Sequence, residues 1–160
     1  MGRWATGVSV VTAHEGRDDA GLTVNGFLSV SLAPPSVLVS LARDVDTLPV
    51  IARSGRFGVS LLAADQRALS ERFARNEPSD AKFRELAFHR GPGGTPLLDG
   101  TLGGLECQVA ARWAVSDHVL LVGEVDHQET GRDGLPLLFY RSAYAEVDAP
   151  DRLRLPAGRR

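Results

Sequence analysis

A single cysteine and a single lysine stand among the 160 residues of this chain. With Cys107 alone, no disulfide can form within the chain and no multi-cysteine zinc site can be built, which fits a reducing compartment. Lys82 is the only lysine, every other basic side chain being arginine, a bias that reads as codon usage rather than recognition chemistry. No apolar run approaches the length of a membrane span, and the N-terminus lacks the long apolar stretch of a signal peptide. No membrane association is expected, and the cytoplasm is the expected location. A net charge of -2 gives no sign of a nucleic-acid partner. There is no G-x-G-x-x-G after a strand, no Walker A sequence, no H-E-x-x-H and no G-x-S-x-G, so neither a Rossmann dinucleotide site nor a side-chain nucleophile is supported. His14, His89, His118 and His127 show no metal-ligand spacing, and no metal is expected.

What is present is strand signal. With 43% hydrophobic and 24% charged residues the chain can bury a core of its own, and its length suits one domain. Residues 7–13 alternate apolar and small polar side chains at period two, and residues 21–32 do so again, with Leu22, Val24, Leu28, Val30 and Leu32 on one parity. Pro34-Pro35 breaks that run. Residues 36–42, 56–62, 104–113, 118–128 and 137–147 read as further strands, rich in β-branched or aromatic residues. Residues 47–54 read as a short helix closed by Gly55. Asp65 is placed to N-cap a helix ending near Arg75, with Leu69 and Phe73 on its apolar face, and Ser79 or Asp80 to cap a further helical turn at Phe83. Residues 91–100 read as a turn-rich loop, and residues 148–160 as a loose tail after a domain spanning 1–147. Strands before and after a small helical insert, without βαβ alternation, predict a mainly β fold, an antiparallel barrel.

The chemistry left by these exclusions is a set of small hydroxyl and amide side chains. Thr23, Asn25, Ser29 and Ser31 alternate with the apolar set and so share one face, with Ser40 close by in sequence. That face is polar but uncharged. It suits a groove that hydrogen-bonds a heterocycle, and equally the solvated face of an antiparallel sheet.

The order of segments resembles that of the flavin reductase family. T-G-V-S-V-V-T (6–12) is similar to that family's opening strand, and G-L-T-V-N-G-F-L-S-V-S-L-A-P-P-S-V-L-V-S-L (21–41) to its central signature. F-G-V-S-L-L (57–62), S-E-R-F-A (70–74), L-E-C (105–107), D-H-V-L-L-V-G-E-V (117–125) and P-L-L-F-Y-R-S-A-Y (136–144) follow in the family's order. The resemblance implies an FMN-binding split β-barrel that forms a homodimer, binds FMN or FAD, and passes it a hydride from NADH or NADPH. It further implies release of reduced flavin to a partner monooxygenase. The alternative on the same barrel is a flavin-binding electron carrier or oxidase; a non-catalytic binding module is a third reading. The nicotinamide would lie against the flavin, so no Rossmann fingerprint is needed.

Carried over by position, the resemblance puts the flavin against Thr23, Asn25, Gly26, Ser29, Val30 and Ser31, and its phosphate side against Ser40, Leu41, Ala42, Arg43 and Thr47. Phe83 and Tyr144 join the flavin site, and His118 lies close to the nicotinamide as the residue assigned to the catalytic step, holding the ring rather than serving as an obligatory acid or base. The plainer readings are a surface arginine for Arg43, a core anchor for Phe83, and a strand histidine satisfied by Asp117 for His118. Three departures stand out: Asp44-Val45-Asp46 where the family often carries serine, Asn25 in place of serine or threonine, and Ser116 in place of glycine. Two acids near a phosphate are unfavourable unless they point away. The opening Met1-Gly2-Arg3-Trp4 resembles the end of the family's first helix, which places the expected start upstream.

Overall fold

The computed structural model describes residues 2–145 and 147. The expected tail 148–160 lies outside the described residues. Seven antiparallel strands form the main sheet: β2 (Ser9–Glu15), β3 (Asp18–Val24), β4 (Phe27–Leu32), β5 (Pro35–Ala42), β6 (Arg56–Leu61), β9 (Gly103–Val115) and β10 (His118–Thr130). Their spatial order is β3-β2-β6-β9-β10-β5-β4. Strands β3 and β4 stand at opposite ends of that order, yet only Asn25-Gly26 separates them in the chain. Laid flat, the two ends of seven strands would be roughly 29 Å apart at about 4.8 Å per strand, whereas the three Cα steps from Val24 to Phe27 reach at most about 11 Å. The sheet therefore curls until its ends meet, and the expected mainly β barrel results.

The barrel interior is filled from every side. Val11, Ala13, Val24, Val39, Leu41, Phe57, Val59, Cys107, Val119 and Leu121 form one buried cluster, closed by Leu48, Val50 and Ile51 of α1 (Thr47–Ser54). Helix α1 keeps its expected bounds, and Gly55 ends it in the left-handed region at φ 68, its N–H donating to the Ile51 carbonyl. Strand β2 is buried on both faces, because Val10 on its other side belongs to a second cluster. There Phe73 of α2 (Arg67–Ala74), Phe83 of α3 (Ser79–Phe83) and Phe88 of β7 (Phe88–Arg90) stack edge to face, with centroids 5.2 and 5.4 Å apart. Each such pair adds about 1 kcal/mol to the burial of its rings.

Several boundaries differ from the sequence reading, each for a local reason. The first run splits into β1 (Thr6–Gly7) and β2, since Val8 turns its N–H to the Leu137 carbonyl and its own carbonyl to Leu62. The run 21–32 is two strands, so its apolar parity does not mark one core face: Val24 is buried, but Leu28, Val30 and Leu32 are 59%, 51% and 89% exposed on β4. Asp65 is not a cap. It lies in a 3-10 turn (Ala64–Gln66), ion-pairs with Arg132, and leaves Gln66 Oε1 to accept from the Ala63 N–H at 2.9 Å. Neither Ser79 nor Asp80 caps α3, whose N-cap is Pro78; Ser79 Oγ instead donates to Asp46 Oδ2 at 2.7 Å. The loop 91–100 contains β8 (Pro96–Leu98), paired to β7. Within the run 137–147 the described residues form a hairpin, β11 (Leu138–Tyr140) and β12 (Ala143–Ala145), turned at Arg141-Ser142, both at positive φ. Its first strand also pairs with β1.

Two charged clusters tie loops to the barrel. Glu106 of β9 is fully buried; its carboxylate accepts from the backbone N–H groups of Gly93 at 2.7 Å and Thr95 at 2.9 Å, and the Arg56 Nε lies 3.8 Å away. Burial pushes this carboxyl up, but the hydrogen bonds from Thr95 and Gly93 and the Arg56 charge together outweigh it and hold it below the usual glutamate range. On the surface, His89 of β7 presents Nδ1 to Asp99 Oδ1 at 2.7 Å and Nε2 to Glu129 Oε2 at 2.9 Å, with His127 Nε2 3.9 Å from the same Glu129 oxygen. Both ring nitrogens can donate only in the imidazolium. Asp99 first, then Glu129, accordingly raise the His89 pKa above the ordinary histidine value. A raised folded-state pKa stabilises the fold fully below the unfolded-state value, and the contribution is lost as pH rises through the folded-state value. Wild-type protein is therefore expected to exceed the H89Q variant in urea midpoint at about pH 6, with the gap shrinking by about pH 9. A gap that is constant or grows with pH would show that His89 carries no bound proton.

Candidate functional site

The seam at Asn25-Gly26 is where the grooves gather. Gly26 lies against β5: its carbonyl accepts from the Ser40 N–H at 2.9 Å, and a Cβ at this position would come within 3.1 Å of the Ser40 Cβ. Just before the seam, Thr23 and Asn25 line a groove of about 190 Å³ with Val8, Ser70, Ala74, Phe139 and Tyr144. Asn25 and Val8 are shared with a groove of about 360 Å³ walled by Trp4, Thr6, Ser9, Phe27, Leu61 and Leu102. Thr23 and Ala74 are shared with another of about 600 Å³, walled by Leu22, Phe73, Lys82 and the loop 44–46. Thr23 and Asn25 thus sit where three hollows adjoin.

Helix α2 lies over this junction because its apolar face, Leu69 and Phe73, packs on the second cluster. Its buried Ser70 is the knot: the Ser70 carbonyl accepts from Thr23 Oγ1 at 2.6 Å, and Ser70 Oγ lies 2.8 Å from the Tyr144 hydroxyl. The Tyr144 ring is further fixed by Phe139, edge to face at 5.7 Å, and by the Arg67 guanidinium 5.1 Å from its centroid. The Asn25 amide has no hydrogen-bond partner among the described residues, which leaves a donor and an acceptor facing the grooves.

The structure brings Thr23, Asn25, Gly26, Ser40 and Tyr144 to this seam. Ser29, Val30 and Ser31 fall on β4, beyond the break, with Val30 bulged between the pairs Ser29–Val37 and Ser31–Ser36; they line none of the three grooves. The side chain of Leu41 belongs to the barrel core. Ala42 pairs with His118 across β5 and β10, and the Arg43 N–H donates to the Asp117 carbonyl at 3.0 Å, leaving its guanidinium exposed. Thr47 is buried at the start of α1, its hydroxyl 3.5 Å from Asp46 Oδ1. Phe83 is 8% exposed and packs within the aromatic stack, one edge facing a hollow of about 750 Å³ beyond α3. His118 is half-exposed; Nδ1 meets Asp117 Oδ1 at 2.9 Å and Nε2 has no hydrogen-bond partner among the described residues. That contact holds the Asp117 carboxyl below its usual range. Sequence reading missed Ser70. Ser70 opens the S-E-R-F-A segment, but its meeting with Tyr144 needs the folded chain.

The curled antiparallel barrel with a polar seam places the chain in the class of small, mainly β barrel domains, and its likeness to known proteins gives it a family. The model of the "Flavin reductase like domain" family matches residues 1–148. The chain is 41% identical over 144 residues to the FMN reductase (NADH) SmoA of Agrobacterium fabrum, covering 90% of this chain and 80% of that protein. It is 35% identical over 150 residues to the reductase component of 4-hydroxyphenylacetate 3-monooxygenase from Thermus thermophilus, covering 94% of each. The crystal structure of nitrilotriacetate monooxygenase component B from Mycobacterium thermoresistibile superimposes with a TM-score of 0.89 at 32% identity, over 99% of this chain and 88% of that one. The chain belongs to the flavin reductase-like family.

If Ser70 and Tyr144 act as one hydrogen-bonded unit, S70A and Y144F should each lower stability by about 1 kcal/mol, and the double variant by little more than either. Urea unfolding of the four proteins measures this; fully additive losses would show that the pair does not interact.

Proposed function

We propose that this protein is an NADH-dependent flavin reductase that transfers a hydride to FMN or FAD and supplies reduced flavin to a monooxygenase. The observation that carries the reading is the uncharged polar seam in a chain of this family: Thr23, Asn25, Ser70 and Tyr144 around one groove. The donor set fits a flavin. An isoalloxazine edge presents carbonyl and ring-nitrogen acceptors beside one N–H, which neutral hydroxyls and an amide match and carboxylates would not. The Asn25 amide is free for it, and Tyr144 offers a ring held in place.

When bound, flavin supplies the hydride-accepting ring system and NADH the hydride. The chain's part is binding and orientation, which suffices because the cofactors carry the electrons. Thr23, Asn25 and Gly26 hold the ring edge at the seam, while Ser29, Val30 and Ser31 stand on β4 outside the three grooves. Ser40, Leu41 and Ala42 support the seam from β5, and Arg43 lies on the phosphate side, with Thr47 buried behind it at the start of α1. Phe83 backs the insert that covers the site. His118, oriented through Nδ1 by Asp117, holds the nicotinamide with its unbonded Nε2 and is not required as an acid or base.

The working form is a homodimer. Leu28, Val30 and Leu32 of β4 lie 59%, 51% and 89% exposed, and Trp113 and Val115 on the β9–β10 hairpin 53% and 49%. So much apolar strand surface suits coverage by a second copy. Among the described residues, no helix is long and apolar enough to cross a membrane. A cytoplasmic location fits the single buried cysteine, whose thiol burial pushes up to about 12.

The test is NADH oxidation with FMN, FAD and riboflavin in turn, beside flavin titration of T23A and N25A. Flavin-dependent oxidation is expected, with NADH ahead of NADPH, and each substitution should weaken flavin binding about 5-fold. H118A should raise the KM for NADH while leaving flavin affinity intact. Absence of flavin-stimulated oxidation would overturn the reading.

A further inference from the structure

We infer that His89 is a proton-operated tie between the insert and the barrel, and that it sets how firmly α2 and α3 lie over the flavin site. The second half of this inference rests on the flavin reductase reading; the first does not. Among the described residues β7 pairs with β8 and with no strand of the main sheet. Beyond that pairing, β7 is held by three consecutive side chains. Phe88 packs on the second cluster and stacks edge to face on Phe83. Arg90 grips Asp19 of β3, Nη1 at 2.6 Å and Nη2 at 2.8 Å. His89, on the opposite face of the strand, reaches Asp99 in the turn after β8 at 2.7 Å and Glu129 near the end of β10 at 2.9 Å. Of the two ionic ties, that of Arg90 keeps its charge at any working pH, and that of His89 does not.

The two carboxylates are not equivalent. Asp99 follows β8 directly and its N–H donates to the Ala87 carbonyl at 3.2 Å, so its contact with His89 is local to the hairpin. Glu129 belongs to the barrel. The imidazolium donates to both; the neutral ring has one N–H and one lone pair, and the lone pair repels the carboxylate it faces. The shorter, local contact to Asp99 keeps the proton, and the contact to Glu129 is given up. No neighbouring charge replaces it. His127 stands 3.9 Å from the same Glu129 oxygen but lies on β10 with it, so it cannot join insert to barrel. Arg90 is committed to Asp19, which also meets His14 Nδ1 at 2.9 Å, and Arg132 to Asp65 and the Gly100 carbonyl. Asp99, then Glu129, raise the His89 pKa, so the tie is closed below that value and opens as pH rises through it. The opening reaches the flavin site along the stack from Phe88 through Phe83 to Phe73 of α2, the helix that presents Ser70 to Thr23 and Tyr144.

Hydrogen–deuterium exchange of the flavin-free protein tests the tie. Wild type is compared with H89Q and E129Q at each pH, so that the intrinsic pH dependence of exchange cancels. At about pH 6 both variants should exchange the amides of α2, α3 and β7 about 3-fold faster than wild type, and at about pH 9 at the wild-type rate. FMN titration tests the second half: the dissociation constant of wild type divided by that of H89Q should rise about 3-fold between the same two pH values. The ratio removes the titration of FMN itself and of the other histidines, which wild type and variant share. An exchange difference that is the same at both pH values, or that stays within residues 88–99, would overturn the inference, as would an FMN ratio that pH does not move. Failure of the functional reading would show differently, as wild type that binds no FMN at either pH while the pH-dependent difference in exchange persists.

Discussion

Two residues, Asn25 and Gly26, join strands that the hydrogen-bond ladder places at opposite ends of a seven-stranded sheet. That short tether admits no open sheet. Every other feature of the molecule follows from the closure it forces: a core fed by both ends of the sheet, and a seam where the ladder is interrupted. At the seam the ladder pairing thins to a single backbone bond, from the Ser40 N–H to the Gly26 carbonyl, and the Asn25 side chain is left without a partner among the described residues. Polar but uncharged side chains stand here on strand ends, the kind of rigid element on which a site is best held.

The insert between β6 and β9 completes the site by packing rather than by covalent or metal bridges. Phe73, Phe83 and Phe88 anchor α2 and α3 to the barrel's outer face, and Arg72 donates to the carbonyls of Ala81 in α3 and of Arg84 just after it. Glu106 and Lys82 form an instructive pair. Both are buried charges, but the carboxylate is satisfied by two backbone N–H groups and a nearby guanidinium, and the ammonium by a single carbonyl. One is part of the scaffold's stability. The other keeps N–H donors that have no partner among the described residues.

The strands were legible because their apolar residues recur at period two, and α1 because Gly55 marks its end. Neighbour relations were not. Period two looks the same through 21–32 whether the chain continues or breaks, so Thr23 and Ser29 read as one face, although they lie on strands at opposite ends of the ladder. Asp65 carries the side chain of a cap, but Arg132, distant in sequence, claims it. For the site, Thr23 and Asn25 were visible as polar residues among apolar ones. Ser70 was not, since its significance lies in meeting Thr23 and Tyr144, residues 47 and 74 positions away. Residue type announces a donor; only the fold says what it faces.

The topology also sets a timetable for folding. β4 and β5 form a local hairpin early, but β5 must wait for β10, near the end of the chain, before its other edge is paired. During synthesis that hairpin emerges with Leu28, Val30 and Leu32 uncovered and one edge open, a combination that invites pairing with the wrong chain. Non-local pairing of this kind is slow. The same apolar strand that suits a partner subunit in the finished protein is thus its main aggregation hazard before the barrel closes, and yield on expression would be governed by how quickly β10 arrives.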